Sequence, residues 1–157
     1  MKEYQKKLRV PGIGTLIAMA GFFFGYTHIE QLLYCSDYED CMLKGREHRE
    51  SASYEDAIRS FDRAIEYRKN DSKAFGFRGL SYLDLKEYRS ALSDFDYAIR
   101  INPNYGEHYY HRGLTFYQMN DIDNATRDFK NTLSKEVNQD TRKKATKKLH
   151  KIKLSES

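Results

Sequence analysis

The chain repeats itself every 34 residues, and that step limits what it can fold into more than any other feature. Gly45, Gly79 and Gly113 are separated by it, as are Ala57, Ala91 and Ala125, and again Phe61, Phe95 and Phe129. Looser columns keep the same step: Tyr54, Tyr88 and Ile122; Ala64, Ala98 and Thr132; Ile65, Ile99 and Leu133. A base precedes each glycine, as Lys44, Arg78 and Arg112. Repeats of this size are single supersecondary units that cannot bury their apolar faces alone, so about three of them must stack, with caps, to be stable.

The columns have a physical rationale. A glycine in the first helix of each unit removes the Cβ where a neighbouring element must come close. Three residues on, His48, Tyr82 or Phe116 fills the space beside that contact. A short polar turn follows, clearest at Asn120-Asp121, and a second helix is expected to begin near Tyr54, Tyr88 and Ile122. There Ala91, Phe95 and Ala98 fall at i, i+4 and i+7, the stripe of one buried helix face. Pro103, after Ile101-Asn102, ends the second unit's second helix because it cannot extend one. An aromatic share of 14% argues against disorder, and only two prolines argue for helices.

These residues resemble the tetratricopeptide repeat family. Units 38–71, 72–105 and 106–139 carry the pattern, best in the second, with Phe75, Gly79, Tyr82, Tyr88, Ala91, Phe95, Ala98 and Pro103. The third departs at Thr132 and Val137; the first has Cys41 and His48 at large-residue positions and Lys69 for the proline. The resemblance implies an all-α fold: a right-handed superhelix of three helix-turn-helix repeats. To it we add a C-terminal capping helix and an N-terminal apolar helix. In the segment 140–157, Ala145, Leu149 and Ile152 share one face among lysines, as a capping helix requires.

Segment 1–37 holds a second signal. From Val10 to Ile29 no Asp, Glu, Lys or Arg occurs. About 17–25 mostly apolar residues span a bilayer core, so the run is long enough for a signal-anchor. Lys2, Lys6, Lys7 and Arg9 precede it and Glu30, Asp37, Glu39 and Asp40 follow, which by the positive-inside tendency places the repeats outside the cytoplasm. A cleaved signal peptide ending near Ala18-Met19-Ala20, giving a secreted protein, and a helix buried on the repeats of a cytosolic protein are the alternatives. An oxidising compartment would permit a disulfide between Cys35 and Cys41, provided the helix breaks near Asp37; the other reading is two unpaired thiols.

The net charge of +4 belongs to the ends. Eleven bases lie in residues 1–9 and 141–154; setting them aside with Glu3 and Glu156 leaves 16 bases against 21 acids, a net −5 for the body. An acidic body disfavours extended nucleic-acid contact. The lysines of 141–154 could still attract anionic lipid or nucleic acid.

No catalytic set can be named. Nucleophile elbow, Walker loop, H-E-x-x-H and paired C-x-x-C are all absent from the sequence. His108 and His111 are i, i+3 without a third ligand at matching spacing, so they read as surface or groove histidines rather than a metal site. No cofactor is expected. What the resemblance implies instead is a concave groove, lined by the first helices, that binds peptide or helical segments of other proteins. Carried over by position, the groove residues are Met42, Arg46 and Arg49; Lys73, Gly76, Phe77, Leu80 and Leu83; and Tyr110, His111, Leu114 and Tyr117. Arg46, Tyr110 and Tyr117 are the favoured energetic anchors. Where the family's carboxylate clamp would stand, this chain has Met42, Arg46, Phe77, Glu107 and His111, so that clamp is not expected. The expected function is a membrane-anchored, non-catalytic scaffold. Its alternatives are a structural subunit of a larger membrane assembly and an electrostatic binder acting through the basic tail.

Overall fold

The computed structural model describes residues 35–155. The basic N-terminus and the apolar run 10–29, with every expectation placed on them, lie outside the described residues. Among the described residues seven helices follow one another: α1 Tyr38–Glu50, α2 Tyr54–Tyr67, α3 Ser72–Asp84, α4 Tyr88–Ile101, α5 Gly106–Gln118, α6 Ile122–Ser134 and α7 Gln139–Ser155. Among the described residues there is no strand, only an isolated bridge between Tyr105 and Glu136.

Each hairpin is closed by the same local chemistry. Ala52, Lys86 and Asn120 have φ of 58°, 63° and 61°. A residue in this left-handed conformation just past a helix end lets the next amide reach back five residues. The Ser53, Glu87 and Asp121 amides accordingly donate to the carbonyls of His48, Tyr82 and Phe116, at 2.8, 2.8 and 2.9 Å. The chain turns sharply, and each second helix lies back on its first.

The core consists of the alanine and phenylalanine columns. Phe61, Phe95 and Phe129 are fully buried, flanked by Ala57 and Ala64, Ala91 and Ala98, and Ala125. Each phenylalanine lies over the glycine of its own unit. A Cβ on Gly79 would come within 2.9 Å of Phe95 Cε1, and one on Gly113 within 3.0 Å of Phe129 Cε1. At Gly45 the clash with Phe61 would be tighter still. Thr132, which breaks the alanine column, is fully buried and its hydroxyl donates to the Asp128 carbonyl at 2.9 Å. A small polar residue is tolerated there because its one donor is satisfied.

Stacking between hairpins follows the same order. Helix α2 packs on α3, α4 on α5 and α6 on α7, while the first helices touch in series, α1 with α3, α3 with α5 and α5 with α7. Helix α7 thus occupies the place of a fourth first helix. It buries Thr141, Ala145 and Ile152 against Tyr110, Ala125 and Phe129, with Leu149 at the edge. At the other end Cys35 and Cys41 are disulfide-bonded, and α1 starts at Tyr38 behind an Asp37 cap that accepts from the Asp40 amide at 3.0 Å.

Arginine joins the repeats on a second periodic line. Arg78 of α3 donates to Asp94 in its own hairpin, at 2.8 and 2.6 Å, and to Asp62 in the preceding one, at 2.6 Å. Arg112 of α5 repeats this with Asp128, at 2.7 and 2.8 Å, and Asp96, at 2.6 Å. The carboxylates of Asp94 and Asp128 are almost wholly buried, so they depend on these forks for compensation. Each guanidinium is held well above its ordinary range by its carboxylate partners, while burial pushes the Asp94 carboxyl up.

Candidate functional site

Two adjoining cavities open where the first helices meet. The smaller, about 180 Å³, has apolar walls from Phe77, Leu80 and Tyr105 and polar groups from Lys73, Glu107, His108, His111 and Asn138. The larger, about 700 Å³, is lined by Met42 and Arg46 of α1, Lys73 and Phe77 of α3, and Arg68, Asp71, Asn102 and Tyr105 of the links between units. Lys73, Phe77 and Tyr105 line both.

Local structure positions these groups. Phe77 is stacked on the core ring of Phe61, centroids 5.6 Å apart and 17° from parallel. Asp71 caps α3 by accepting from the Lys73 and Ala74 amides at 2.7 and 3.3 Å, which sets Lys73 at the helix start. The same carboxylate accepts from the Tyr38 hydroxyl at 2.6 Å; burial, with that hydrogen bond next, pushes the phenol well up. The Arg68 guanidinium covers the Tyr38 ring at 3.7 Å. Glu107, on the far wall, accepts from Thr141 Oγ1 at 2.7 Å and from Asn138 Nδ2.

Two histidines form the floor of the smaller cavity. His108 is buried above Gly76, where a Cβ would stand 2.7 Å from its Cε1, and meets Tyr105 edge-on at 4.7 Å. His111 stacks on Phe95 at 6.0 Å and lies edge-on to Tyr110 at 5.2 Å. Burial pushes His108 down to about 4 and His111 down to about 3, the latter helped by the nearby His108, Arg49 and Lys144. Both are therefore neutral at pH 7. His108 Nε2 and His111 Nδ1 are buried and no protein group hydrogen-bonds either. No group of three or more His, Cys, Asp or Glu able to hold a metal occurs among the described residues.

Six of the residues named from the sequence are brought together here: Met42, Arg46, Lys73, Phe77, Leu80 and His111. Gly76 also lines the smaller cavity, its missing Cβ making room for His108. Five others stand elsewhere. Tyr110 is a core residue, 7% exposed and packed on Phe129 at 5.9 Å, because α7 covers that side of α5. Leu114 and Tyr117 pack on the same cluster, and Lys148 sits 4.5 Å over the Tyr117 ring. Arg49 is held by Asp84 at 2.7 Å, tying α1 to α3. Leu83 lines neither cavity. The expectation of Tyr110 and Tyr117 as anchors is thus corrected: the capping helix uses them. Tyr105 and Asn138 were missed, while His108, read with His111 as a surface or groove histidine, is buried and lines the smaller cavity. Tyr105 and Asn138 lie in links that no helical column reaches, and His108 gave a signal only through its spacing from His111.

An α-helical array of this kind, with a channel along its first helices, is a class of repeat protein that presents one face to other molecules. The chain belongs to the tetratricopeptide repeat family, whose profile matches residues 42–106 and 78–130, more than half its length. Solved structures share the fold. The first such domain of Spaghetti (RPAP3), bound to the HSP90 peptide SRMEEVD, is 23% identical over 77% of this chain and 94% of its own, with a TM-score of 0.69. The Arabidopsis OM64 domain is 23% identical over 74% and 97%, with a TM-score of 0.67. PcrH in complex with the chaperone-binding region of PopD is 18% identical over 76% and 92%, with a TM-score of 0.70. No curated protein matches the sequence at a significant level.

Proposed function

We propose that this protein is a non-catalytic interaction scaffold that holds an extended or helical segment of a partner protein across its first helices. One observation carries the reading: residues from α1, α3 and α5 line two cavities that meet at Lys73, Phe77 and Tyr105. Two adjoining cavities with apolar and aromatic walls and a charged rim suit a polypeptide better than a compact metabolite. Similar folds solved with a bound peptide or chaperone-binding region support the reading by analogy of fold. The uncharged run 10–29 supports tethering to a membrane with the repeats on the extracytoplasmic side, which would raise effective concentration toward membrane-associated partners. No helix among the described residues is long and apolar enough to cross a membrane.

The test uses peptides selected by display against the full-length protein. The double charge reversal Arg46→Glu/Lys73→Glu alters two exposed rim residues and should weaken a selected peptide at least tenfold without changing helicity. Unchanged affinity would remove the channel from the account.

A second reading rests on α7, whose exposed Lys143, Lys147 and Lys151 form one stripe four residues apart. Attraction to anionic vesicles that fades with salt and disappears on truncation after Asn138 would favour it.

A further inference from the structure

We propose that copies of this chain associate head to tail, the outer face of α1 in one molecule against the outer face of α7 in the next. Each end of the helical array lacks something that every interior unit has. Leu43, Phe77, His111 and Ala145 form one column in steps of 34. Three of them dock on the core ring of the preceding unit: Phe77 stacks on Phe61 at 5.6 Å, His111 on Phe95 at 6.0 Å, and Ala145 packs in one cluster with Phe129. Leu43 belongs to the first unit, and it stands 48% exposed. The other end is open by the same logic. Lys147 falls in the glycine column, where Gly45, Gly79 and Gly113 each lie against the phenylalanine of their own second helix. Among the described residues no second helix follows α7, and Lys143, Lys147 and Lys151 are exposed along it.

A terminal unit needs only a polar outer face to keep an array soluble. These two ends go further, because they differ in sign. The exposed residues of α1 are Glu39, Leu43, Arg46, Glu47 and Glu50. Glu39 and Arg46 line the larger cavity, and Glu39 pairs with Arg68 at 3.2 Å. Leu43, Glu47 and Glu50 remain as an outward row, at steps of four and three. On α7 the three lysines follow at steps of four, and the helix's one acid, Asp140, is paired with Lys144. None of these two glutamates and three lysines enters an ion pair among the described residues. The first hairpin, 38–67, carries eight acids against five bases, and α7 carries one acid against seven bases.

That difference selects the mode of pairing. Two α1 faces would bring acids together and two α7 faces would bring lysines together, whereas α1 against α7 sets opposite charges across the contact. The lysine stems can also lie over Leu43 while their ammonium groups reach Glu47 and Glu50. An anionic lipid surface would satisfy the lysines but leave the α1 row uncovered; a second copy covers both. Such a contact uses different patches on the two molecules, so it leaves one open end of each kind and grows with concentration rather than closing as a dimer. Exposed ion pairs are individually weak and screened by salt, which makes the association weak and salt-sensitive.

The test is sedimentation equilibrium of the full-length protein in a density-matched non-ionic detergent. The expected result is a mass that rises with protein concentration, and an association constant at least tenfold lower in about 0.5 M than in about 0.05 M salt. Glu47→Lys/Glu50→Lys and Lys143→Glu/Lys147→Glu should each weaken self-association at least tenfold with helicity unchanged. Mixing the two variants should restore it to within a few-fold, since the reversed α1 of one meets the reversed α7 of the other and their native ends also match. A protein that stays monomeric throughout overturns the proposal, as does association that ignores salt and both variants, or a loss that mixing does not repair. Binding of anionic vesicles through α7 without self-association likewise overturns it and assigns the lysines to lipid. None of the four substituted residues lines either cavity, so failure here leaves the channel reading to its own test.

Discussion

Arg78 and Arg112 each hold two hairpins together through one guanidinium, and the worth of that arrangement is asymmetric. Asp94 and Asp128 are buried, so removing the cation leaves a carboxylate with neither water nor partner. Breaking a buried pair from one side costs about 3–5 kcal/mol, far more than the net value of the pair itself. Arg112→Met should therefore lower the urea unfolding free energy by about 3 kcal/mol, and adding Asp128→Asn should recover much of the loss. A second residue carries the opposite sign. Ala52 adopts φ 58° with a Cβ, whereas Asn120 at the matching turn is a side chain that tolerates this region. Since the left-handed conformation costs an ordinary L-residue about 1–2 kcal/mol, Ala52→Gly should stabilise the first hairpin by about 1 kcal/mol, read as a raised midpoint in the same unfolding assay. The sequence showed the repeating glycine and phenylalanine columns plainly because both meet only one environment. It did not show the arginine forks, since Asp62 and Asp96 meet their arginines across a repeat boundary, beyond the reach of any pattern within one helix.

Helix α5 contributes the feature most sensitive to pH. His108 and His111 are depressed below an ordinary histidine, so the unfolded chain binds their protons first as pH falls. Their contribution is complete above about pH 6.5 and is lost on descending toward about 4 and 3. Each imidazole removes up to about 1.4 kcal/mol per pH unit in that window. Chemical denaturation at pH 7 and pH 5 should show the loss well above the range where most carboxylates titrate, and a His111→Gln variant should lose less; equal slopes would mean the rings are not buried neutral. Helix α7 acts on the same element from the other side. Its Ala145 and Ile152 cover Tyr110 and Phe129, so truncation after Asn138 should expose that cluster and lower the thermal midpoint by several degrees. That coverage is also why the third repeat's share of the site was misread. Position alone assigned Tyr110, Leu114 and Tyr117 to the channel, but a capping helix takes the place of the next repeat and uses those side chains for packing. The cap was legible from Ala145, Leu149 and Ile152; its effect on the residues beneath it was not, because the two segments meet only in the fold.

For the molecule as a whole, charge is arranged by region. The body between the termini is net −5, while the outer face of α7 and residues 1–9 are basic. The cavity lining is balanced, with Arg46, Arg68 and Lys73 set against Glu39, Asp71 and Glu107, and two neutral imidazoles among them. A partner segment with an aromatic or aliphatic side chain would match the Phe77, Leu80 and Tyr105 walls. A reporter active only outside the cytoplasm, fused after Ser157, should be active if the run 10–29 anchors the protein with its repeats beyond the membrane, and an inactive reporter would reverse that orientation. The most direct measurement concerns the channel itself: map the amide shifts of the full-length protein on adding a display-selected peptide. The account predicts that the largest shifts fall on Lys73, Phe77, Leu80, Tyr105 and His108. Shifts confined to the lysines of α7, or to the second helices α2, α4 and α6, would contradict it.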